Sequence, residues 1–237
     1  MYYNIIVARP FDRVFTYEAD DPTLKIGQIL IVPFGKTMEV GMIIEGDVIK
    51  PEYTIKKINT VLEGLQLSDI NIKFLKWVSE YTLAPIGSVL KLFIINKDIV
   101  SYERTDESLH EPIFKSVKLN EEQYKAKEKI IQIQETSHKP IVLEGVTGSG
   151  KTEVYFELIE LEIKRSKQVL IMVPEISLTP QLENRFKERF GIEIDVWHSK
   201  ITPKKRKEIW HKCFEGEPCV IIGARSSLFL PFKNLGL

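Results

Sequence analysis

Residues 145–160 read GVTGSGKTEVYFELIE. The first eight, Gly145-Val146-Thr147-Gly148-Ser149-Gly150-Lys151-Thr152, satisfy G-x-x-x-x-G-K-[ST] at every position. A phosphate grip needs these residue types in this order. The glycines let the backbone turn tightly enough for several amides to face one anion. A helix starting at the end of the loop presents its positive dipole end to the same anion. Lys151 can reach the β- and γ-phosphates of ATP, and Thr152 can offer its hydroxyl to Mg²⁺. All eight positions are therefore candidate nucleotide contacts, with Lys151 and Thr152 nearest the chemistry and Thr152 the metal ligand.

The elements on either side suit this reading. KPIVLEG (residues 139–145) reads as a strand entering the loop, and KTEVYFELIELEIKR as a helix with Val154, Leu158 and Leu161 on one face. KQVLIMVP, IEIDVWH and PCVIIGA are further strands, and LTPQLENRFKERF is a helix between the first two. Another helix runs through KKRKEIWHKCF, capped by Thr202 with Pro203 in its first turn. Near-continuous apolar strands alternating with helices predict a parallel sheet covered on both faces. Hydrolysis would also need an acidic residue at the end of an apolar strand to hold Mg²⁺. Pro174-Glu175, Asp195 inside its strand and Gly223-Ala224-Arg225 all fit poorly, so the acidic motif is expected beyond residue 237.

The first half has a different grain. YYNIIVA, RVFTYEA, QILIVPFG and EVGMIIEG are short β-branched or aromatic runs punctuated by Gly, Pro and Asp, and TIKKINTVLE could add a fifth. Strands this short and closely spaced predict a small barrel or sandwich. Ser68 then caps a helix whose stripe of Ile72, Leu75, Val78 and Tyr81, with Phe74 and Trp77, reads as core. Pro85 breaks it, and IGSVLKLFII follows. Periodicity fades and charge rises over residues 96–118, the expected boundary. The fold class is thus α/β, with a β-rich domain at 1–95, a linker at 96–118 and a P-loop parallel-sheet lobe at 119–237.

Composition narrows the function classes. The 237 residues carry 33 basic and 33 acidic side chains, so a polyanion partner cannot be inferred from overall charge. No apolar run is long enough to span a bilayer, and MYYNIIVARPFDR does not read as a secretion signal. A cytoplasmic location is expected. Two cysteines, Cys213 and Cys219, cannot complete a structural zinc site. His198 and His211 read as structural, and Lys204-Lys205-Arg206-Lys207 as a solvated helix face.

Longer strings point to a family. LNEEQ (119–123), EGVTGSGKTEVYFELI, IMVPEISLTPQL, WHS and IGARSSLFLPFKNLGL together resemble the first motor lobe of the PriA replication-restart helicases of superfamily 2. VPFGK (32–36) and PIGSVL (85–90) resemble that family's amino-terminal DNA-binding domain. The resemblance implies a RecA-like lobe and ATP-dependent 3′→5′ unwinding at stalled forks for primosome assembly. It implies branched or single-stranded DNA with a 3′ end as ligand, and primosome proteins and single-strand-binding protein as partners. Gln123 would read adenine. Ser177, Thr179 and the turn Gly223, Ala224, Arg225, Ser226 would contact the single-strand backbone, for which hydroxyls and a guanidinium suit. The alternative for Ser177 and Thr179 is capping of the helix that follows.

The family's 3′-end pocket maps onto Phe15, Thr16, Gly35 and Lys56: a ring to stack the terminal base, a glycine for close approach, a lysine for phosphate. Read without the resemblance, Phe15 is core packing. Family members usually have Asp where Thr16 stands, so weaker selectivity for a 3′-hydroxyl is expected. Many also carry a winged-helix domain that cannot fit within residues 96–118. Their second motor lobe, zinc-binding insertion and carboxy-terminal domain have no counterpart here, so zinc is not expected. A piece that binds nucleotide and DNA without unwinding is the expectation. A non-catalytic fork-end binding module and an unrelated P-loop ATPase are the alternatives.

Overall fold

In a computed structural model the described residues are 1–94, 113–115, 117–137, 139–174 and 179–237. The chain divides into two compact units, the first made mainly of residues 1–104 and the second of most of the remainder.

The first unit is built on five strands, β1 (Tyr2–Val7), β2 (Phe15–Glu18), β3 (Gln28–Phe34), β4 (Thr37–Glu45) and β5 (Thr60–Gln66). They pair antiparallel in the order β2-β1-β4-β3-β5. Asn4 lies opposite Thr16, and Ile5 opposite Phe15, in β1 and β2. The fifth strand starts later than the sequence pattern suggests. The stretch before it crosses to the far edge instead: Glu18 N donates to Lys56 O at 3.0 Å and Ile58 N to Glu18 O at 2.9 Å. That crossing ties the β2 edge to the approach to β5 and leaves less edge exposed. Alternation sends Tyr3, Ile5, Val7, Tyr17, Leu30, Val32 and Ile43 into one core.

Two helices follow, α1 (Asp69–Thr82) and α2 (Ile86–Phe93). Ser68 caps α1 by accepting from Asn71 N. The expected stripe needs correction at its ends. Ile72, Leu75 and Val78 are buried, but Trp77 is 54% and Tyr81 75% exposed. These two rings stack on each other at i,i+4 with centroids 5.0 Å apart, which helical spacing allows on a surface as well as in a core.

The second unit holds α3 (Glu121–Thr136), α4 (Lys151–Lys164), β6 (Gln168–Met172), α5 (Thr179–Phe190), β7 (Asp195–Trp197), α6 (Pro203–Glu215) and β8 (Cys219–Gly223), then a 3₁₀ turn at Arg225–Phe229. Its sheet is parallel, in the order β6-β8-β7. Most of the expected elements form, including the α6 start, where Thr202 Oγ1 accepts from Lys205 N. The strand expected at residues 139–145 does not. A strand needs a ladder neighbour. The outer edge of β6 is instead met by the carboxy-terminal residues: Gln168 N donates to Asn234 O and Leu170 N to Leu237 O, each at 2.9 Å. Ile141 and Leu143 still turn inward against Ile130, Val154 and Leu158, while Val142 is 88% exposed. A cavity of 890 Å³ is shared by Ile141, Leu143, Leu158, Val169, Ile171 and Leu237.

Residues 113–115, placed in the linker by sequence, belong to the lobe's packing. Ile113 N donates to Phe190 O and Lys115 N to Arg189 O. The guanidinium of Arg189, 5% exposed, answers with Lys115 O, Glu157 at 2.5 Å and Glu160 at 3.2 Å. Of the other expected linker residues, 96–112 and 116 lie outside the described residues. Lys205 of the basic run is not simply solvated, since it pairs with Asp195 at 2.8 Å.

Candidate nucleotide and DNA-binding sites

The P-loop forms as a turn followed by a helix. Gly148 and Gly150 have φ of 83° and 80°, a region that other residues enter only with strain. Gly150 is also the α4 N-cap, and a Cβ there would stand 2.2 Å from Gln123 Nε2. At this point Gln123 meets the loop, donating from Nε2 to Ser149 O at 3.1 Å. Its other atoms are fixed by a reciprocal cap with Asn120: Oε1 accepts from Asn120 N, and Gln123 N donates to Asn120 Oδ1. Sequence spacing alone could not have joined Gln123 to the loop; the family resemblance did.

Lys151 is the first residue of α4. Its ammonium folds back onto the loop, 2.6 Å from Gly145 O and 3.0 Å from Val146 O. Thr152 sits one residue further on, and its hydroxyl makes no hydrogen bond to the described residues. Val146, Thr147, Gly148 and Ser149 are exposed. The donor set is therefore a cation resting on its own loop, a hydroxyl unbonded among the described residues and a glycine turn at a helix N-terminus, which fits a polyphosphate and its cation. Asp195 does not add to it. Its carboxylate is held by Lys205 at 2.8 Å and Lys212 at 3.1 Å. Among the described residues no cluster of three His, Cys, Asp or Glu side chains could hold a metal.

At the end of β8, Gly223 is buried while Arg225 and Ser226 are exposed. A Cβ on Gly223 would meet Ser227 Cβ at 2.7 Å and Trp197 O at 3.1 Å. Ser227, which sequence reading passed over, is fully buried and donates to Ala224 O at 2.6 Å. It locks the turn that holds Arg225 outward. Ser177 lies outside the described residues. Thr179 opens α5, with its side chain likewise outside them.

In the β domain three of the four expected pocket residues converge. Gly35 takes a φ of 59° in a two-residue hairpin loop between Phe34 and Thr37. Lys56 Nζ donates to Gly35 O at 3.2 Å. Phe34, next to Gly35, meets Phe15 edge-on with centroids 5.0 Å apart. Phe15 is half-buried against the core and so serves packing as well. Thr16 stands apart. Strand alternation turns it to the face opposite Phe15 and Tyr17, where its hydroxyl donates to Asn4 Oδ1 at 2.9 Å. Asn4 Nδ2 in turn donates to Glu45 Oε2 at 2.7 Å. Sequence reading missed Phe11, Arg13 and Phe34 around this pocket. The signal was present in RPFDRVF, where basic and aromatic residues interleave.

Comparison with known proteins agrees with both halves. The family model described as 3'DNA-binding domain (3'BD) matches residues 4–94. The model described as type III restriction enzyme, res subunit, matches residues 116–234. The chain is 43% identical over 224 residues to the replication restart protein PriA of Rickettsia felis, covering 90% of this chain and 33% of that protein. The chain belongs to the PriA family. Against the PriA protein of Bacillus subtilis it is 45% identical over 120 residues, 50% of this chain and 15% of that one. Against PriA of Haemophilus influenzae it is 31% identical over 313 positions, covering 98% of this chain and 43% of that protein. Those 313 positions exceed the 237 residues here, so that relative carries residues inside the match that have no counterpart in this chain. The chain spans about a third of the length of the Rickettsia relatives it matches. As a PriA-family chain it joins an antiparallel β domain, matched by the 3'DNA-binding model, to a parallel-sheet lobe of RecA-like helicase type. No helix among the described residues is long and apolar enough to cross a membrane.

Proposed function

We propose that this chain is the nucleotide- and DNA-binding portion of an ATP-dependent 3′→5′ helicase that restarts replication at stalled forks in the cytoplasm. It binds ATP on residues 145–152 and a DNA 3′ end on the β domain, and does not unwind by itself. The observation that carries this reading is the meeting of Gln123 with the P-loop, because it brings the side chain that the family resemblance assigns to the base up against the phosphate-gripping turn. When bound, Mg²⁺ would neutralise charge between phosphate oxygens, and Thr152 would hold it. Lys151 would leave its two carbonyl partners for the β- and γ-phosphates. Arg225 and Ser226, exposed on their turn, suit backbone phosphates of a single strand. Primosome proteins and single-strand-binding protein are the proposed protein partners.

The absence of unwinding is supported by the lobe itself. Asp195 is locked by two lysines and offers no unpaired carboxylate to a bound cation. Equilibrium binding of a fluorescent ATP analogue, with Lys151→Ala alongside, tests the nucleotide half. Loss of a charged hydrogen-bonding partner should weaken binding about 10–100-fold. ATP turnover stimulated by single-stranded DNA, or binding unchanged by K151A, would refute the corresponding part.

A further inference from the structure

We propose that Arg13 is a phosphate-binding residue of the 3′-end pocket. Its guanidinium is held over the aromatic group so that it meets the phosphodiester of the nucleotide stacked there. The inference rests on the end-capture reading above and adds to that site a residue the reading does not contain.

The loop between β1 and β2 carries two arginines with opposite fates. Arg9 is consumed by Glu39 at 2.6 Å. Arg13 is exposed and has no carboxylate partner among the described residues. Its neighbour Asp12 does not pair with it; Asp12 Oδ1 accepts from Ile86 N at 3.4 Å. What positions Arg13 is aromatic. Its Cζ lies 4.8 Å from the Phe15 ring centroid and 5.9 Å from that of Phe11. Phe11 and Phe34 are 5.4 Å apart, and Phe34 leads into Gly35, whose carbonyl binds Lys56. Arg13 thus lies over two of three mutually packed rings, and Lys56 bonds the glycine that follows the third; both cations keep donors available for an anion.

The loop is also seated firmly. Gly87 N, in the first turn of α2, donates to Phe11 O at 3.2 Å. A Cβ on Gly87 would stand 2.1 Å from Arg9 O, so only glycine lets α2 approach this closely. Phe11 and Arg13 are therefore presented by a backbone tied to a helix. Guanidinium is weakly hydrated, stacks on rings and offers a planar fork to phosphate oxygens. Base stacking on aromatics beside backbone-tracking cations is how single strands are held without sequence reading.

The test is fluorescence polarisation of short single strands ending in a 3′-hydroxyl or a 3′-phosphate, over a series of salt concentrations. It compares the wild-type chain with Arg13→Ala and Arg13→Lys. R13A should weaken binding of the 3′-hydroxyl strand about tenfold and reduce the salt slope by about 1. R13K should restore the slope and part of the affinity. Unchanged R13A affinity overturns the proposal, as does weaker binding with an unchanged slope, which would make Arg13 a packing residue for Phe15. Equal wild-type affinity for the two ends removes the end-capture reading and this inference with it. End-selective wild-type binding with R13A indistinguishable from it removes the inference alone.

Discussion

The two candidate sites are made in opposite ways. The nucleotide grip is contiguous: eight residues in a row supply turn, cation and hydroxyl, and one distant residue, Gln123, comes in from α3. The candidate DNA pocket is composite. Phe11, Arg13, Phe15, Phe34, Gly35 and Lys56 come from two loops, two strands and a crossing segment, and they meet only because antiparallel pairing folds those segments together. The resting chemistry differs as well. Lys151 is occupied by its own loop's carbonyls at 2.6 and 3.0 Å, and must exchange partners to hold a ligand. Arg13 rests on rings and, among the described residues, has no carboxylate to give up. A contiguous site can tolerate a loosely completed sheet, whereas a composite one depends on its whole domain.

The sharpest way to strain that comparison is to loosen one domain and ask whether the other notices. Gln168 is fully buried at the start of β6. Its Nε2 donates to Lys212 O, Cys213 O and Glu217 O at 2.9, 3.0 and 3.2 Å. Its Oε1 accepts from Lys233 N and Asn234 N at 3.1 and 2.8 Å. One amide thus joins the end of α6, the start of the sheet and the carboxy-terminal segment. Gln168→Leu keeps the volume and strands those backbone groups, costing the lobe about 3 kcal/mol or more. Urea unfolding followed by tryptophan emission should show it, since Trp210 and Trp197 are buried in the lobe. Binding of a 3′-ended strand at low urea should be untouched. If end binding failed together with the lobe, the sites would not be independently supported.

A smaller perturbation separates the sites directly. Phe15→Ala removes the ring that Phe11, Phe34 and Arg13 all contact. Stacking of one base on an aromatic contributes about 1–3 kcal/mol, so affinity for the 3′-ended strand should drop about tenfold or more. Titration with an ATP analogue should be unchanged. Thr16→Val should do far less, because the Thr16 hydroxyl already serves Asn4 on the other face. A large T16V effect on discrimination between 3′-hydroxyl and 3′-phosphate would return Thr16 to the pocket.

How much of this could be read beforehand follows the same division. The P-loop was legible because its chemistry is written in adjacent residues, and α1 and α6 because their caps, Ser68 and Thr202, are local. The β domain was legible as strands, from alternation and punctuation, but not as a pocket: nothing in the sequence says that Phe34 will face Phe15. The misread cases share a cause. Ile141, Val142 and Leu143 have strand propensity, yet propensity supplies no neighbour to pair with. Trp77 and Tyr81 have core-like spacing, yet the same spacing lines a solvent face. Gln168 carried no signal, since an amide at a strand start looks like surface until the segments it bonds are known.

The finest probe of the β domain is alkaline pH, acting on the core just behind Phe15. Tyr17 is 4% exposed, and its hydroxyl donates to Pro33 O at 3.2 Å, in the strand that ends at Phe34. Burial pushes its phenol up to about 12 from an ordinary value near 10. The folded domain therefore keeps a proton that the unfolded chain has released. Its contribution is complete below pH 10 and is lost as pH rises through 12, because the unfolded state then binds fewer protons. Tyr17→Phe cannot ionise. At pH 7 it should cost only about 1 kcal/mol, the net worth of one hydrogen bond, and between pH 10 and 12 its stability should fall less steeply than the wild type's. Circular dichroism of urea unfolding across that window measures the difference. Parallel curves for the two proteins would mean that Tyr17 ionises without opening the domain, and the pocket would then stand on a looser core than the burial of this ring implies.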